Sequence, residues 1–191
     1  MRLGVFGGTF DPIHLGHLSI ARNAFKQLSL DQILFVPAKA PQLREGKDPI
    51  GTPYQRYEMV RLAIDDIPEF FVSDIELRRP GPSYMVDTIK ELSDCFSSTQ
   101  IELYLILGSD LLDRFHQWHQ YQVILEACTL AIYARPGYST TVESSEIIGI
   151  GSLRMEVIEG PGFSYSGTKI RESLRNGALD VQGFLSEIGE Y

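Results

Sequence analysis

His14 and His17 stand three residues apart at the mouth of a helix-like segment, just after an apolar run that stops at Gly7 and Gly8. Glycines carry no side chain, so backbone N–H groups there approach a polyphosphate closely. The positive end of a helix with two imidazole donors beside it makes a clamp for phosphate oxygens. Between them, Pro12 stiffens a turn and Asp11 can bond its own backbone. His116 and His119 repeat the H-x-x-H spacing and complete the chain's four histidines, so a zinc site is the competing chemistry. Against zinc, no Asp or Glu at a matching spacing supplies a base, and glycines dominate the surroundings of the first pair. No Ser-His-Asp set is evident.

The elements that must position these residues alternate between strand and helix. "LGVF" reads as a strand, and His17 to Leu28 as a helix with Leu18, Ala21, Phe25 and Leu28 on one face. Gln32 to Pro37 is a second strand, followed by a polar loop from Lys39 to Ile50. Thr52, Pro53 and Gln55 open a helix with a capping box, turning Tyr57, Val60, Ile64 and Ile67 inward. Phe70 to Leu77 is a third strand candidate, and Ser83 is expected to cap a helix to about Ser93. Ile101–Leu107, Cys128–Ala134 and Leu153–Glu159 read as further strands, with a loosely patterned loop from Pro136 to Ser152. Thr168 to Asn176 is a short helix stopped by Gly177, and a last amphipathic helix starts near Asp180 with Val181, Phe184, Leu185 and Ile188 apolar.

Apolar strands separated by helices predict an α/β fold: a doubly wound parallel sheet with helices on both faces and a small helical C-terminal part, about 168–191. In such sheets ligands bind beyond the carboxyl ends of the strands. "GGTFDPIH", "AKAP", "GSD", "RPGY" and "FSYSGTKIR" each follow a strand, so all should crowd one rim.

The totals bound the rest. A chain of 191 residues with 43% hydrophobic and 22% charged residues suits one globular domain, 1–191. No run approaches the roughly 18 apolar residues of a membrane helix, and the start does not read as a signal peptide. Two cysteines, Cys95 and Cys128, make no disulfide framework and fit the reducing cytoplasm. A net charge of −8 argues against coating nucleic acid, while leaving room for an anionic small molecule held by local cations.

His14-Leu15-Gly16-His17 resembles the H-x-G-H signature of the nucleotidyltransferase superfamily, with its Rossmann-like, dinucleotide-binding-like fold. More closely the chain resembles bacterial nicotinate-mononucleotide adenylyltransferases. "PSY" at 82–84, "GSD" at 108–110, "QWHQY" at 117–121, "RPGY" at 135–138 and "SGTKIR" at 166–171 fall in that family's order and at about its spacing. The resemblance implies that ATP and nicotinate mononucleotide are joined to deamido-NAD with release of pyrophosphate, in NAD biosynthesis. The mononucleotide phosphate, with a second pKa of about 6, is already mostly dianionic and needs no general base. The protein need only align two anions and stabilise the leaving charge.

On that reading His14, His17 and Arg171 are catalytic. Gly7, Gly8, Thr9, Phe10, Gly16, Gly108, Asp110, Ser166 and Thr168 bind ATP. Ser83, Tyr84, Thr88, Trp118, His119, Arg44 and Arg135 bind the mononucleotide, Trp118 by stacking on the cationic pyridine ring. Arg56 is a candidate for the phosphates or for a surface salt bridge. Mg²⁺ is expected, bound mainly through ATP phosphates, with no protein metal site. The partners are two small molecules, with no nucleic acid or membrane, and a homo-oligomer stays open.

Three positions depart from the family's pattern. Met85 follows "SY" where a Thr is common, His119 stands for a frequent Tyr, and Leu43 replaces a histidine in "PQLR". In the last motif Tyr165 and Gly167 differ, while Ser166, Thr168, Ile170 and Arg171 match. These departures keep three alternatives open. The acceptor could be nicotinamide mononucleotide, or another phosphorylated compound, or the chain could be a nucleotide-binding module without catalysis. A phosphopantetheine adenylyltransferase fits less well, because its first motif usually has Thr for the first histidine and it lacks the Trp118 region. A tRNA synthetase fits poorly too, since the chain is short and has no K-M-S-K-S stretch.

Overall fold

The computed structural model describes residues 1–41, 48–96, 100–135, 154–162 and 166–177. Strands β1 (Arg2–Gly8), β2 (Gln32–Pro37), β3 (Phe70–Val72), β4 (Glu102–Gly108), β5 (Thr129–Tyr133) and β6 (Met155–Ile158) form one sheet in the order β3-β2-β1-β4-β5-β6. Every neighbouring pair is parallel. The order reverses between β1 and β4, which is where an open parallel sheet leaves a crevice at its carboxyl edge. The fold expected from the apolar strand pattern is the one observed.

The period of two along each strand divides the core in two. Leu3 and Val5 of β1 and Leu103, Leu105 and Leu107 of β4 face one layer. That layer holds Val86, Ile89 and Leu92 of helix α4 (Met85–Cys95), and Ile124 and Leu125 of α5 (Tyr121–Ala127). Phe6 of β1 and Tyr104 and Ile106 of β4 face the other layer. There they meet Leu18 and Ala21 of α1 (Leu15–Gln27), and Val60 and Ile64 of α2 (Pro53–Ile64). Helices therefore cover both faces. Thr52 and Gln55 make the expected capping box: Thr52 Oγ1 accepts from Gln55 N at 3.3 Å, and Gln55 Oε1 accepts from Thr52 N at 2.9 Å.

The third strand is shorter than its apolar run. β3 pairs with β2 only over Phe70–Val72, and Ser73 N still donates to Phe35 O at 2.9 Å. The next ladder bond would need an N–H on Pro37, which has none. Ser73 Oγ instead accepts from Ile75 N at 3.2 Å, and the chain turns into the short helix α3 (Ile75–Arg78). A 3₁₀ helix over Ser109–Gln117 and α5 fill the span between "GSD" and β5, where the sequence suggested no element. Helix α6 (Gly167–Arg175) ends at Asn176, and Gly177 follows at φ +79°, as a helix stop should. The expected loop 136–152 falls outside the described residues, as does the helix expected from Asp180. No helix among the described residues is long and apolar enough to cross a membrane.

Candidate active site

α1 begins two residues earlier than the apolar periodicity suggests, with His14 as its N-cap in extended conformation (φ −152°) and His17 in its first turn. The two rings stack, centroids 3.8 Å apart. His17 Nδ1 accepts from the His14 backbone N–H at 3.2 Å. That bond fixes the neutral ring's proton on Nε2, so His17 presents a donor on its far edge. Burial pushes His14 down to about 4, and the nearby Arg135 charge adds to the effect. Burial also holds His17 well below the usual imidazole range, with His14 and Arg135 contributing. The pair is neutral at pH 7.

Phe10 supports this pair from behind. It sits at φ +49°, 2% exposed, with its ring edge-on to His17 at 5.1 Å and to Phe6 at 5.6 Å. A Cβ on Gly8 would lie 2.8 Å from the Phe10 ring, so the second glycine of the motif makes room for that phenyl group. Phe10, expected to bind ATP, has its side chain in the core, where it holds the histidine. Gly16 is likewise buried inside α1.

The late helix meets the same corner. Ser166 caps α6, its Oγ accepting from Lys169 N at 3.3 Å. Arg171 Nη2 donates to Thr168 Oγ1 at 3.1 Å, and Nη1 donates to the Asp11 carbonyl. Nη1 also lies 3.7 Å from Asp11 Oδ2. The Asp11 carboxylate in turn accepts from Ile50 N and Gly51 N, both at 3.0 Å. Asp11 thus ties the first motif, the segment before α2 and the start of α6 into one cleft. A Cβ at Gly167 would sit 3.2 Å from the Asp11 carbonyl, so glycine eases this approach. At the end of β4, Arg135 Nη1 bonds Asp110 Oδ2 at 3.1 Å, and Asp110 Oδ1 has no hydrogen-bond partner among the described residues. Both side chains close over Gly108, where a Cβ would come within 2.3 Å of Asp110 and 3.0 Å of Arg135.

Beside this corner lies a cavity of about 500 Å³. Gly7, Gly8 and Thr9 form one side of it, and Tyr84, Met85, Trp118 and His119 another. Trp118 is half-buried, its ring 5.1 Å from Phe115, and its Nε1 has no partner among the described residues. The His119 ring lies 4.4 Å from Tyr84. Ser83 lines the cavity but does not cap α4, whose N-cap is Tyr84. Its Oγ accepts from Lys39 N at 2.9 Å and Ala40 N at 3.2 Å, pinning the loop after β2. Thr88, expected to touch the mononucleotide, is fully buried; it donates to Glu76 Oε1 at 2.9 Å and accepts from Arg79 Nη1 at 3.1 Å. Its bonded partner Glu76 does line the cavity. Arg44 and Leu43 lie outside the described residues.

Two buried charges escaped the sequence reading. Arg56 is 0% exposed, not on the surface. Its guanidinium donates to three backbone carbonyls: Thr9 at 2.6 Å, Gly51 at 3.1 Å and Lys39 at 3.4 Å. The signal for it was its helix position, four residues before Val60 and on the same inward stripe. Glu76 is 3% exposed between buried Ile75 and Leu77, and its Oε2 has no hydrogen-bond partner among the described residues. An acid inside an apolar run was the available clue. Among the described residues no group of three or more His, Cys, Asp or Glu side chains could hold a metal ion. Burial pushes the Cys128 thiol up to about 12, so it offers no nucleophile.

Comparisons with known proteins point to one family. A family model described as cytidylyltransferase-like matches residues 5–173. A protein of Dictyoglomus thermophilum named "Probable nicotinate-nucleotide adenylyltransferase" is 41% identical over 177 residues, covering 93% of this chain and 89% of its own. One of the same name from Thermus thermophilus is also 41% identical over 177 residues, covering 93% and 88%. Among solved structures, the Plasmodium falciparum nicotinic acid mononucleotide adenylyltransferase complexed with APC matches with a TM-score of 0.71 at 18% identity, over 100% of this chain and 89% of that one. At that identity the likeness speaks for the fold.

Proposed function

Because the chain belongs to the cytidylyltransferase-like family, among proteins named nicotinate-nucleotide adenylyltransferases, we propose that it transfers the adenylyl group of ATP to nicotinate mononucleotide. The products are deamido-NAD and pyrophosphate. The observation that carries this reading is Arg171 on Asp11, which puts the Ser166–Thr168–Arg171 helix start in one cleft with His14 and His17. A triphosphate laid there meets donors from both sides, as a reaction needs when it requires alignment and charge neutralisation but no base.

In this reading the His17 Nε2–H and His14 grip the triphosphate, and its negative charge favours protons on both rings. Asp110 accepts from a ribose hydroxyl, and Arg135 faces a phosphate while steadied by Asp110. Ser166 and Thr168 hold phosphate oxygens at the start of α6. Trp118 and Tyr84 form the shelf for the pyridine ring, whose carboxylate meets the backbone N–H groups at the start of α4. The family implies a divalent ion, and we assign Mg²⁺ to it. The described donor set, short of clustered carboxylates, fits an ion that arrives on ATP, ligated chiefly by phosphate oxygens and water. Such an ion would neutralise charge on the phosphates. One domain working in the cytoplasm suits two free cysteines and two small-molecule substrates.

Release of pyrophosphate from ATP plus nicotinate mononucleotide tests the proposal. Measurable ATP binding with no release, for either the acid or the amide mononucleotide, would make the chain a nucleotide-binding module instead.

A further inference from the structure

The chain that leaves β6 toward α6 runs along the surface, yet it is tied down residue by residue. Ile158 O accepts the last ladder bond, from Ala134 N at 3.0 Å. The Gln27 side chain then takes both backbone groups of Glu159: Oε1 accepts from Glu159 N at 3.0 Å, and Nε2 donates to Glu159 O at 2.6 Å. Tyr133, the last residue of β5 and 1% exposed, donates its hydroxyl to Pro161 O at 3.0 Å. Gly160 lies against the same phenol, where a Cβ would come within 2.7 Å of Cζ, so the close approach itself calls for glycine. A carbonyl can only accept, so the Tyr133 proton points to Pro161, and the Ser19 hydroxyl bonded to the phenol is the donor in its own link. Ser19 Oγ in turn accepts from Asn23 Nδ2 at 3.3 Å. Ser19, Asn23 and Gln27 all belong to α1, the helix that opens with the two histidines.

These ties do little for stability. Glu159, Gly160 and Pro161 are exposed, so their backbone groups would find water if released. What the ties fix is place. Ser166, five residues after Pro161, caps α6. Farther along that helix, buried Ile170 and the bond from Arg171 to Asp11 hold it independently. Its first residues, Ser166 and Thr168, stand nearest the tied chain. We propose that Tyr133 is a positioning residue for ATP: its hydroxyl on Pro161, with Gln27 on Glu159, holds this connector to the histidine helix and so sets where Ser166 and Thr168 stand across the cleft from His14 and His17. This rests on the adenylyl-transfer reading above. A grip built from two sides works only at a fixed spacing, because donors must already stand where the phosphate oxygens arrive. Among the described residues neither Tyr133, nor the connector, nor α6 lines the mononucleotide cavity. The effect therefore falls on ATP alone.

The test is the binding of MgATP and of nicotinate mononucleotide, each measured alone by calorimetry. Tyr133→Phe should weaken MgATP ~5-fold, the size of one hydrogen bond, and leave the mononucleotide within about 2-fold. Gln27→Ala alters an exposed side chain, should weaken MgATP in the same sense, and covers a Tyr133→Phe that fails to fold. MgATP binding unchanged in variants that melt like the intact protein, or equal weakening of both ligands, overturns the inference. Thr168→Ala supplies a readout that a merely structural tie would not move. If Tyr133 works through α6, its penalty on MgATP should shrink below ~2-fold in the Thr168→Ala background. Full additivity would assign the effect to Arg135, two residues along from Tyr133, and overturns the inference. An intact protein without affinity for MgATP overturns both this and the transferase reading. The expected losses of MgATP binding, with no pyrophosphate release from the intact protein, would refute the transferase reading and leave this one standing.

Discussion

At the histidine corner the polar groups hold one another, while the adjoining cavity is lined largely by apolar and aromatic side chains, with its one carboxyl among the described residues, Glu76, held from behind by Thr88. The corner stacks His14 on His17, closes Arg135 on Asp110 and draws Arg171 onto Asp11. Its donors are oriented before any ligand arrives, which is what charge stabilisation in a reaction needs. The cavity supplies shape and an aromatic shelf, with Tyr84, Met85 and Trp118 in its wall. The contrast separates rate from choice: the corner should set turnover, and the cavity should set which mononucleotide is accepted.

The sharpest way to break the contrast is Arg56→Leu, since Arg56 bonds the Thr9 carbonyl in the cavity wall, the Lys39 carbonyl in the loop after β2, and that of Gly51 beside Asp11. Three carbonyls would lose their fully buried donor, and urea unfolding should show a loss of about 4 kcal/mol. Next in size is an acid sensitivity belonging to the corner alone. His14 is held at about 4 when folded, against about 6.5 when unfolded, so the unfolded chain binds the extra proton. Stability from this residue is fully present above pH ~6.5 and falls by about 3 kcal/mol as the pH drops to about 4. Urea midpoints followed over that range should show the decline, and His14→Gln should make it shallower. His17→Ala, with the fold intact by thermal melting, should cut kcat at least ~100-fold. Near-normal turnover would remove the corner from the chemistry. The smallest effect belongs to the shelf: Trp118→Ala should raise KM for the mononucleotide ~10-fold and leave that for ATP unchanged. An equal rise for both substrates would merge the two regions.

The corner was legible in the sequence because its geometry is local. A strand, two glycines, a turn and a helix start fix the places of His14 and His17 within a dozen residues, and Ser166 and Arg171 fall within the first turn and a half of one helix. The cavity was legible only in part. Trp118 and Tyr84 were found through the resemblance, but the wall is assembled from several separate segments. Glu76 was hidden because Phe70 to Leu77 reads as one continuous strand. What ends that strand is the missing N–H of Pro37, on a different strand, and no periodicity within 70–77 carries that information. Thr88 was misplaced for a related reason: a helix face was legible, but not that Arg79 and Glu76 would claim its hydroxyl from behind. Arg56 shows the same limit, since a charge on an inward stripe is legible as an oddity while the carbonyls that accept it are far off in sequence.

The bond from Arg171 to Asp11 joins residues 160 positions apart. A growing chain that has made its glycine turn and both histidines therefore owns only half of its grip. The other half is translated long after the first, so a truncated product ending before α6 would keep all six strands of the sheet yet lack the partner that Asp11 holds.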